Sequence, residues 1–398
     1  MKIKTNDIYK LIIALFIASI PMMPIFTLTG FYVLGILVTV IFIMKTIKLR
    51  KMEKLSSFEI FYFLFIVWNS LSLYWSVTGE KSVIKYMLIY FTFTVSTIRL
   101  IFLIYPNKDE GIKFFGKCYI SATILISIIC LIVEHPFGAG SKRLGTYLFA
   151  GTYGTRMTYT YSLEVSIFML LYFLMETKTK KKRIWYLVEL LVITFCTLLT
   201  GTRKIILGVL VYILMYILIK NRKNFFNVFA KMLIIAVIIF AAYQVVMKVE
   251  VFYNILGQRL ETALEFKNGD EGADASMRDR SAMVDYAILK FKERPIIGKG
   301  SNAFHKLFYA YYGQDLYAHN NFAELLCDVG INGFLLYYMI YVCLILKKCD
   351  GKYKTMIVCS IFGILIMDYW NITYYRIHFL LFFEVASLYL NFKKNKYN

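Results

Sequence analysis

Apolar stretches follow one another along almost the whole of this sequence, separated by connections of a few residues. A bilayer core asks for about 20 consecutive apolar residues of an α-helix. Twelve spans approach that length: 8–29, 31–44, 58–77, 83–104, 118–134, 158–175, 185–200, 205–219, 232–247, 333–346, 355–371 and 377–391. A backbone without water must satisfy its own polar groups, so these spans predict an all-α polytopic membrane protein of about 12 transmembrane helices. A transmembrane barrel would show shorter segments of alternating polarity. The 59% of hydrophobic residues and only 5 prolines fit the helical reading. The first span lacks a small-residue cleavage site and runs straight into the second, which predicts a signal anchor rather than a removable signal peptide.

Charge orients the spans. The formal net charge is +21, yet the cations are not gathered in one domain as nucleic-acid binding would require. They fall in KTIKLRKMEK, KTKKKR, KNRK, KKCDGKYK and the tail KKNK, on alternate connections. That is the pattern of cytoplasmic loops, so a multi-pass cell-membrane protein with both termini cytoplasmic is expected, with the lipid bilayer and no nucleic acid as a partner. The opposite connections are a Pro21-to-Pro24 turn, 78–82, 135–157, 200–204, 248–332 and 371–376. Of the 7 cysteines only Cys327 falls on this outward side, which excludes an exported disulfide framework, and no CxxC or CxxH spacing suggests zinc. Carboxylates inside spans, Glu164, Glu189, Asp368 and Glu384, should face the bundle interior.

Only one outward connection is long. It holds ten Lys and Arg against twelve Asp and Glu, so it is not there to set orientation. The organisation expected is a transmembrane bundle over 1–247, an extracytoplasmic catalytic loop bearing short helices over 248–332, and C-terminal transmembrane helices with a cytoplasmic tail over 333–398. Within the loop, Ser281 to Arg294 reads as an amphipathic helix. Ala282, Met283, Tyr286 and Leu289 form one stripe, with Asp285 and Lys292 opposite. Pro295 and Gly298-Lys299-Gly300 stop it. A second short helix is capped by Asn320 or Asn321, with Glu324 placed as a capping-box partner, and ends at Gly330. His319 therefore sits at a helix N-terminus.

A helix N-terminus disfavours imidazolium, which keeps the His319 ring in the neutral form that can take a proton from a hydroxyl. The plainer alternative is a capping histidine in a surface loop. Arg203 follows Thr200-Gly201-Thr202 on an outward connection, where the positive-inside rule argues against a cation, and an anion is a sufficient local reason for it. Arg278 and Arg280 are further candidates for a phosphate or diphosphate, because a guanidinium presents a permanent, forked charge. Being two residues apart on a helix, they do not share a face. For each arginine a salt bridge or a lipid headgroup is the plainer partner. Arg143 and Arg156 belong to a glycine-rich connection that could line the same cavity, and Asn320 and Glu324 complete the candidate set. Gly298-Lys299-Gly300 has no strand before it and reads as a turn, not a nucleotide loop. No outward Asp-x-Asp pair or other metal-ligand set is found, so no metal and no cofactor is expected.

These residues stand in a longer pattern: Arg280-x4-Asp285-x5-Phe291-x3-Pro295-Ile296-Ile297-Gly298-x-Gly300-x3-Phe304, then Ala318-His319-Asn320-x-Phe322-x-Glu324, then Gly330-Ile331-x-Gly333-Phe334-Leu335, with Thr200-Gly201-Thr202-Arg203 upstream. The pattern resembles the O-antigen ligase/polymerase family of bacterial envelope proteins. The resemblance implies a helical bundle with an outer catalytic loop, similar to membrane glycosyltransferases that use lipid-linked sugars. It implies an undecaprenyl-diphosphate-linked oligosaccharide as donor, with His319 as the base and arginines on the diphosphate. Polymerisation onto a second lipid-linked repeat unit, metal-independent and inverting, is the reaction expected. Transfer to a lipid, wall or protein acceptor, or flipping of the lipid-linked glycan, are the alternatives. A flippase and a chain-length regulator are the protein partners such a system implies. The Lys-, Ile- and Asn-rich composition leans toward capsule or exopolysaccharide biosynthesis.

Overall fold

The computed structural model describes residues 5–50, 54–137, 143–149, 156–262, 275–347 and 352–394. Among these no strand occurs, and the protein is an all-α polytopic membrane protein. The expected spans fall mostly on helices, although 8–29 crosses a turn and 58–77 runs past the end of its helix: α1 Thr5–Ser19, α2 Met23–Leu49, α3 Ser57–Leu71, α4 Ser82–Ile104, α5 Lys108–Glu134, α6 Arg156–Glu176, α7 Lys180–Leu199, α8 Arg203–Asn221 and α9 Phe225–Lys248. The polar interval then contributes α10 Ala275–Glu293 and α11 Ala303–Tyr312, before α12 Asn321–Leu346, α13 Lys352–Trp370 and α14 Ile377–Lys394.

Among the described residues, nine helices are long and apolar enough to cross a membrane, fewer than the twelve spans expected. The difference has a physical cause in each case. α1 has only 15 residues because the chain turns at Pro21, where a ring without an N–H cannot continue a helix, so the expected span 8–29 is split between α1 and α2. α7 opens with Lys180-Lys181-Lys182-Arg183, and the apolar part of α14 covers only Ile377–Asn391.

The helices form two compact units. One comprises Met1–Leu34, Asp109–Asp274 and Gly351–Ile364; the other Gly35–Lys108, Ala275–Asp350 and Leu365–Asn398. In the first, α6 is the most enclosed helix and runs between α7 and α8. Its Glu164 is fully buried, and Gly208 of α8 leaves the room for that carboxylate. Asp368 and Glu384 are also fully buried, as expected of carboxylates in spans, whereas Glu189 is only half-buried.

In the second unit α12 packs on both α3 and α10, which brings a membrane helix under the short helices of the polar interval. The core there consists of Met283, Tyr286, Ala287, Phe304, Phe308, Ala318, Ala323 and Cys327. The buried face of α10 is therefore set by residues 283, 286 and 287. Leu289, expected on that stripe, is exposed, and Ala282 is half-buried, while Asp285 and Lys292 face outward as expected. The face is rotated because the Tyr286 ring reaches α11, where its hydroxyl donates to the Leu307 carbonyl at 3.0 Å.

One seam fixes the depth of this layer. Residues 295–300 run against 327–331, with Lys299 N–H on Cys327 O at 2.9 Å, Gly300 N–H on Asp328 O at 2.7 Å and Ile331 N–H on Pro295 O at 2.9 Å. Gly298 and Gly330 meet backbone to backbone at the crossing. Both have positive φ, of 69° and 65°, and a Cβ on either would collide with the other strand of the seam. Glycine is required there by conformation and by space. The Gly298-Lys299-Gly300 turn is thus a packing device, and Gly330 breaks α12 into 321–329 and 331–346, where the sequence placed the end of the second short helix.

Candidate functional site

His319 lies immediately before the N-cap of α12. Asn320 is that cap: its backbone is extended and its Oδ1 accepts the Ala323 N–H at 2.9 Å. Glu324 is then one position too far along to close a capping box, and it does something else. Its buried carboxylate accepts the Ala318 N–H at 2.8 Å, on the other side of the histidine. His319 is bracketed by these two bonds and held with φ of +53°, a left-handed conformation that costs a non-glycine residue roughly 1–3 kcal/mol. The strain is sustained because both neighbours are pinned.

The imidazole is half-buried and packs against Tyr317, with ring centroids 4.0 Å apart. Two arginines act on the same tyrosine. Burial pushes the Tyr317 hydroxyl above its ordinary pKa, and the guanidinium charge of Arg376, then that of Arg280, opposes the push. Arg280 projects from α10, where it is half-buried, while Arg278 two residues earlier is exposed. Their separation on the helix matches the expectation that they do not share a face. His305 has a looser ring contact with Tyr317, centroids 6.3 Å apart, and its Nδ1 lies 3.2 Å from Asp315 Oδ1.

The remaining sequence candidates lie in the first unit. Gly201, with φ of +62°, turns the chain between α7 and α8, and Thr200 locks the turn by bonding the Thr197 carbonyl at 2.7 Å and Thr202 Oγ1 at 3.0 Å. Arg203 opens α8 and its guanidinium donates to the carbonyl of Arg259. Arg259 in turn donates to the Gly201 carbonyl at 3.1 Å. Arg143 runs alongside: its Cδ is among the atoms nearest to Gly201, and the residue after it bonds the Leu199 carbonyl at 3.0 Å. Glu134 holds the following segment by accepting from Gly145, Tyr147 and Leu148 N–H. Arg156 is the first residue of α6 and is half-buried.

The second unit therefore brings together His319, Asn320 and Glu324, with the charge of Arg280 acting on the neighbouring Tyr317, and the first brings together Arg203 and Arg143. Sequence reasoning missed Arg259, which stands in a stretch without a motif, and Arg376. The signal for Arg376 was present: it is a cation on the short connection 371–376, which the positive-inside rule leaves as unexplained as Arg203.

Residues 188–338 match the family model described as O-antigen ligase. This stretch is an O-antigen ligase-family domain. No curated protein matches the chain. The O-antigen ligase match includes Arg203, Arg259, Arg278, Arg280, His319, Asn320 and Glu324, and leaves out Arg143, Arg156 and Arg376. With the apolar helices it makes the protein a multi-pass membrane protein with an O-antigen ligase/polymerase type of function.

Proposed function

We propose that the protein is a polysaccharide polymerase of the outer membrane face, joining a glycan carried on undecaprenyl diphosphate to a hydroxyl of a second lipid-linked repeat unit. The observation that carries this reading is His319, a histidine held in a strained backbone conformation by bonds on both sides and packed against the Tyr317 ring. In the reaction the imidazole takes the proton of the acceptor hydroxyl, the acceptor oxygen forms a bond to the anomeric carbon, and the bond from that carbon to the diphosphate breaks. A single displacement inverts the anomeric centre. The departing diphosphate gains charge as the bond breaks, and Arg280 at its oxygens stabilises that charge more in the transition state than before it. Arg203 is assigned to the same class of ligand on the sequence argument given above. Diphosphate is a good leaving group, so the scheme needs neither a metal nor an acid.

The family description favours a second reading, ligation of the finished glycan to a different acceptor. Purified protein supplied with lipid-linked oligosaccharide as both donor and acceptor separates the two. Polymerisation predicts a ladder of lengthened chains, and a ladder that forms only with a foreign acceptor overturns it in favour of ligation. No transfer to any acceptor overturns both. Orientation is tested in the same cells: cysteine at Gln314 should react with an impermeant maleimide in intact cells, and cysteine at Thr179 only after lysis. The reverse pattern removes the outer-face reading.

A further inference from the structure

The connection between α13 and α14 is only a few residues long, yet a buried polar network is devoted to holding it. Asn321, the first residue of α12 and two positions after His319, accepts the N–H of Thr373 at 3.0 Å and of Tyr374 at 3.3 Å on one side-chain oxygen. Its amide nitrogen donates to the Tyr338 hydroxyl at 3.0 Å. Asp368, near the end of α13, accepts from the hydroxyls of Tyr338 at 3.1 Å, Tyr341 at 2.9 Å and Thr373. Asn321, Asp368 and Thr373 are all fully buried. Polar groups taken out of solvent weaken a fold unless every member is satisfied, and a satisfied network of this kind fixes one geometry. What this one fixes is the turn ending at Arg376, tied directly to the helix end that carries the histidine.

Arg376 itself is preset. Its N–H bonds the Thr373 carbonyl at 2.9 Å, and its own carbonyl accepts from Phe379 at 3.0 Å and Leu380 at 3.2 Å as α14 begins. The guanidinium lies 4.5 Å above the Tyr375 ring and donates to that hydroxyl at 3.3 Å, so the planar fork is oriented before any ligand arrives. Stacking of this kind is open to arginine and not to lysine, and it reduces the entropy lost on binding. The field of a helix start adds to the positive charge instead of offsetting it. A planar fork held in this way favours an anion that offers paired oxygens.

We propose that Arg376 binds the diphosphate of the lipid-linked donor next to His319, and that Asn321 and Asp368 are positioning residues that hold it there. The proposal rests on the donor reading above. Arg376 lies outside residues 188–338, which match the O-antigen ligase family model.

The test is binding of undecaprenyl diphosphate to the full-length protein in nanodiscs, with thermal unfolding of each variant recorded alongside. Arg376→Lys should weaken binding at least tenfold and Arg376→Ala further, while Lys306→Ala, which removes an exposed cation of α11, binds as the unaltered protein does. Asp368→Asn should weaken binding in the presence of Arg376 and add little to Arg376→Ala, because it acts through that residue. A structural arginine that only neutralises its own surroundings would give lower unfolding temperatures with unchanged affinity, and that result in Arg376→Ala and Arg376→Lys overturns the assignment. Failure of the unaltered protein to bind undecaprenyl diphosphate overturns the donor reading instead, whatever the variants do.

Discussion

The turn before α8 and the start of α12 both present charged or ionisable side chains at the N-terminal end of an apolar helix, and they are built in opposite ways. At the α8 turn the arginines themselves do the holding: Arg203 bonds the carbonyl of Arg259, and Arg259 bonds the carbonyl of Gly201. At α12 the backbone around the residue of interest is held by other side chains. Asn320 and Glu324 fix the backbone on either side of His319, and Asn321 fixes the adjoining connection. The difference separates two kinds of sensitivity. Replacing an arginine of the first turn disturbs fold and ligand at once, whereas replacing His319 leaves its scaffold intact.

His319 should therefore show the largest loss of activity with the smallest loss of structure. General-base assistance is worth about 10²–10⁴-fold, so His319→Ala should nearly abolish glycan transfer while expression and the unfolding temperature stay near those of the unaltered protein. His305→Ala, which removes the pairing with Asp315 and a loose ring contact with Tyr317, should retain transfer. Equal losses in the two variants would return His319 to a capping role.

Glu324 tests whether the bracket matters. Glu324→Gln keeps an oxygen for the Ala318 N–H and should retain most activity, while Glu324→Ala releases one side of the left-handed histidine. Misplacement of a catalytic group by 1 Å costs on the order of 10²-fold, so transfer by Glu324→Ala should fall by about that factor. Matching rates for the Gln and Ala variants would show that the bracket is dispensable.

Much of this arrangement was legible beforehand. The spans, the break at Gly330, the cap at Asn320 and the helix before Pro295 are local signals, decided by periodicity and by residues whose backbone preferences are narrow. The misses are of another kind. α11 was not expected, although Phe304, Leu307, Phe308 and Tyr311 recur at helical spacing, because aromatic residues are dense throughout the interval and blur the period. The shift of the α10 face goes with contacts to α11, Tyr286 against Phe304, Phe308 and the Leu307 carbonyl, that no property of α10 alone contains. Arg376 carried a signal as an outward cation, but its placement near the start of α12 depends on Asn321 meeting Thr373, a bond across 52 positions of sequence.

Arg203 and Arg280 sharpen the comparison. Lysine keeps the charge of each but not the bidentate fork, and transfer should fall about tenfold or more in both, a loss of roughly 1.4 kcal/mol or above in transition-state stabilisation. Arg203→Lys should also lower the unfolding temperature, since the bond to the Arg259 carbonyl is disturbed, and Arg280→Lys should not. Full transfer by both lysine variants would make them topology or surface charges.

The smallest effect is expected at Arg278, and it is informative because the residue was a diphosphate candidate on the same footing as Arg280. Two positions on a helix differ by about 200° around its axis, so the two guanidiniums leave α10 on nearly opposite sides. Arg280 is half-buried and its charge reaches Tyr317, whereas Arg278 is exposed. Exposed substitutions away from special features stay within about 0.5 kcal/mol, which is near a twofold change in rate. Arg278→Ala should therefore transfer glycan at about half to twice the rate of the unaltered protein. A tenfold loss would put the diphosphate on the other face of α10, and with it the assignment of Arg280 would fail.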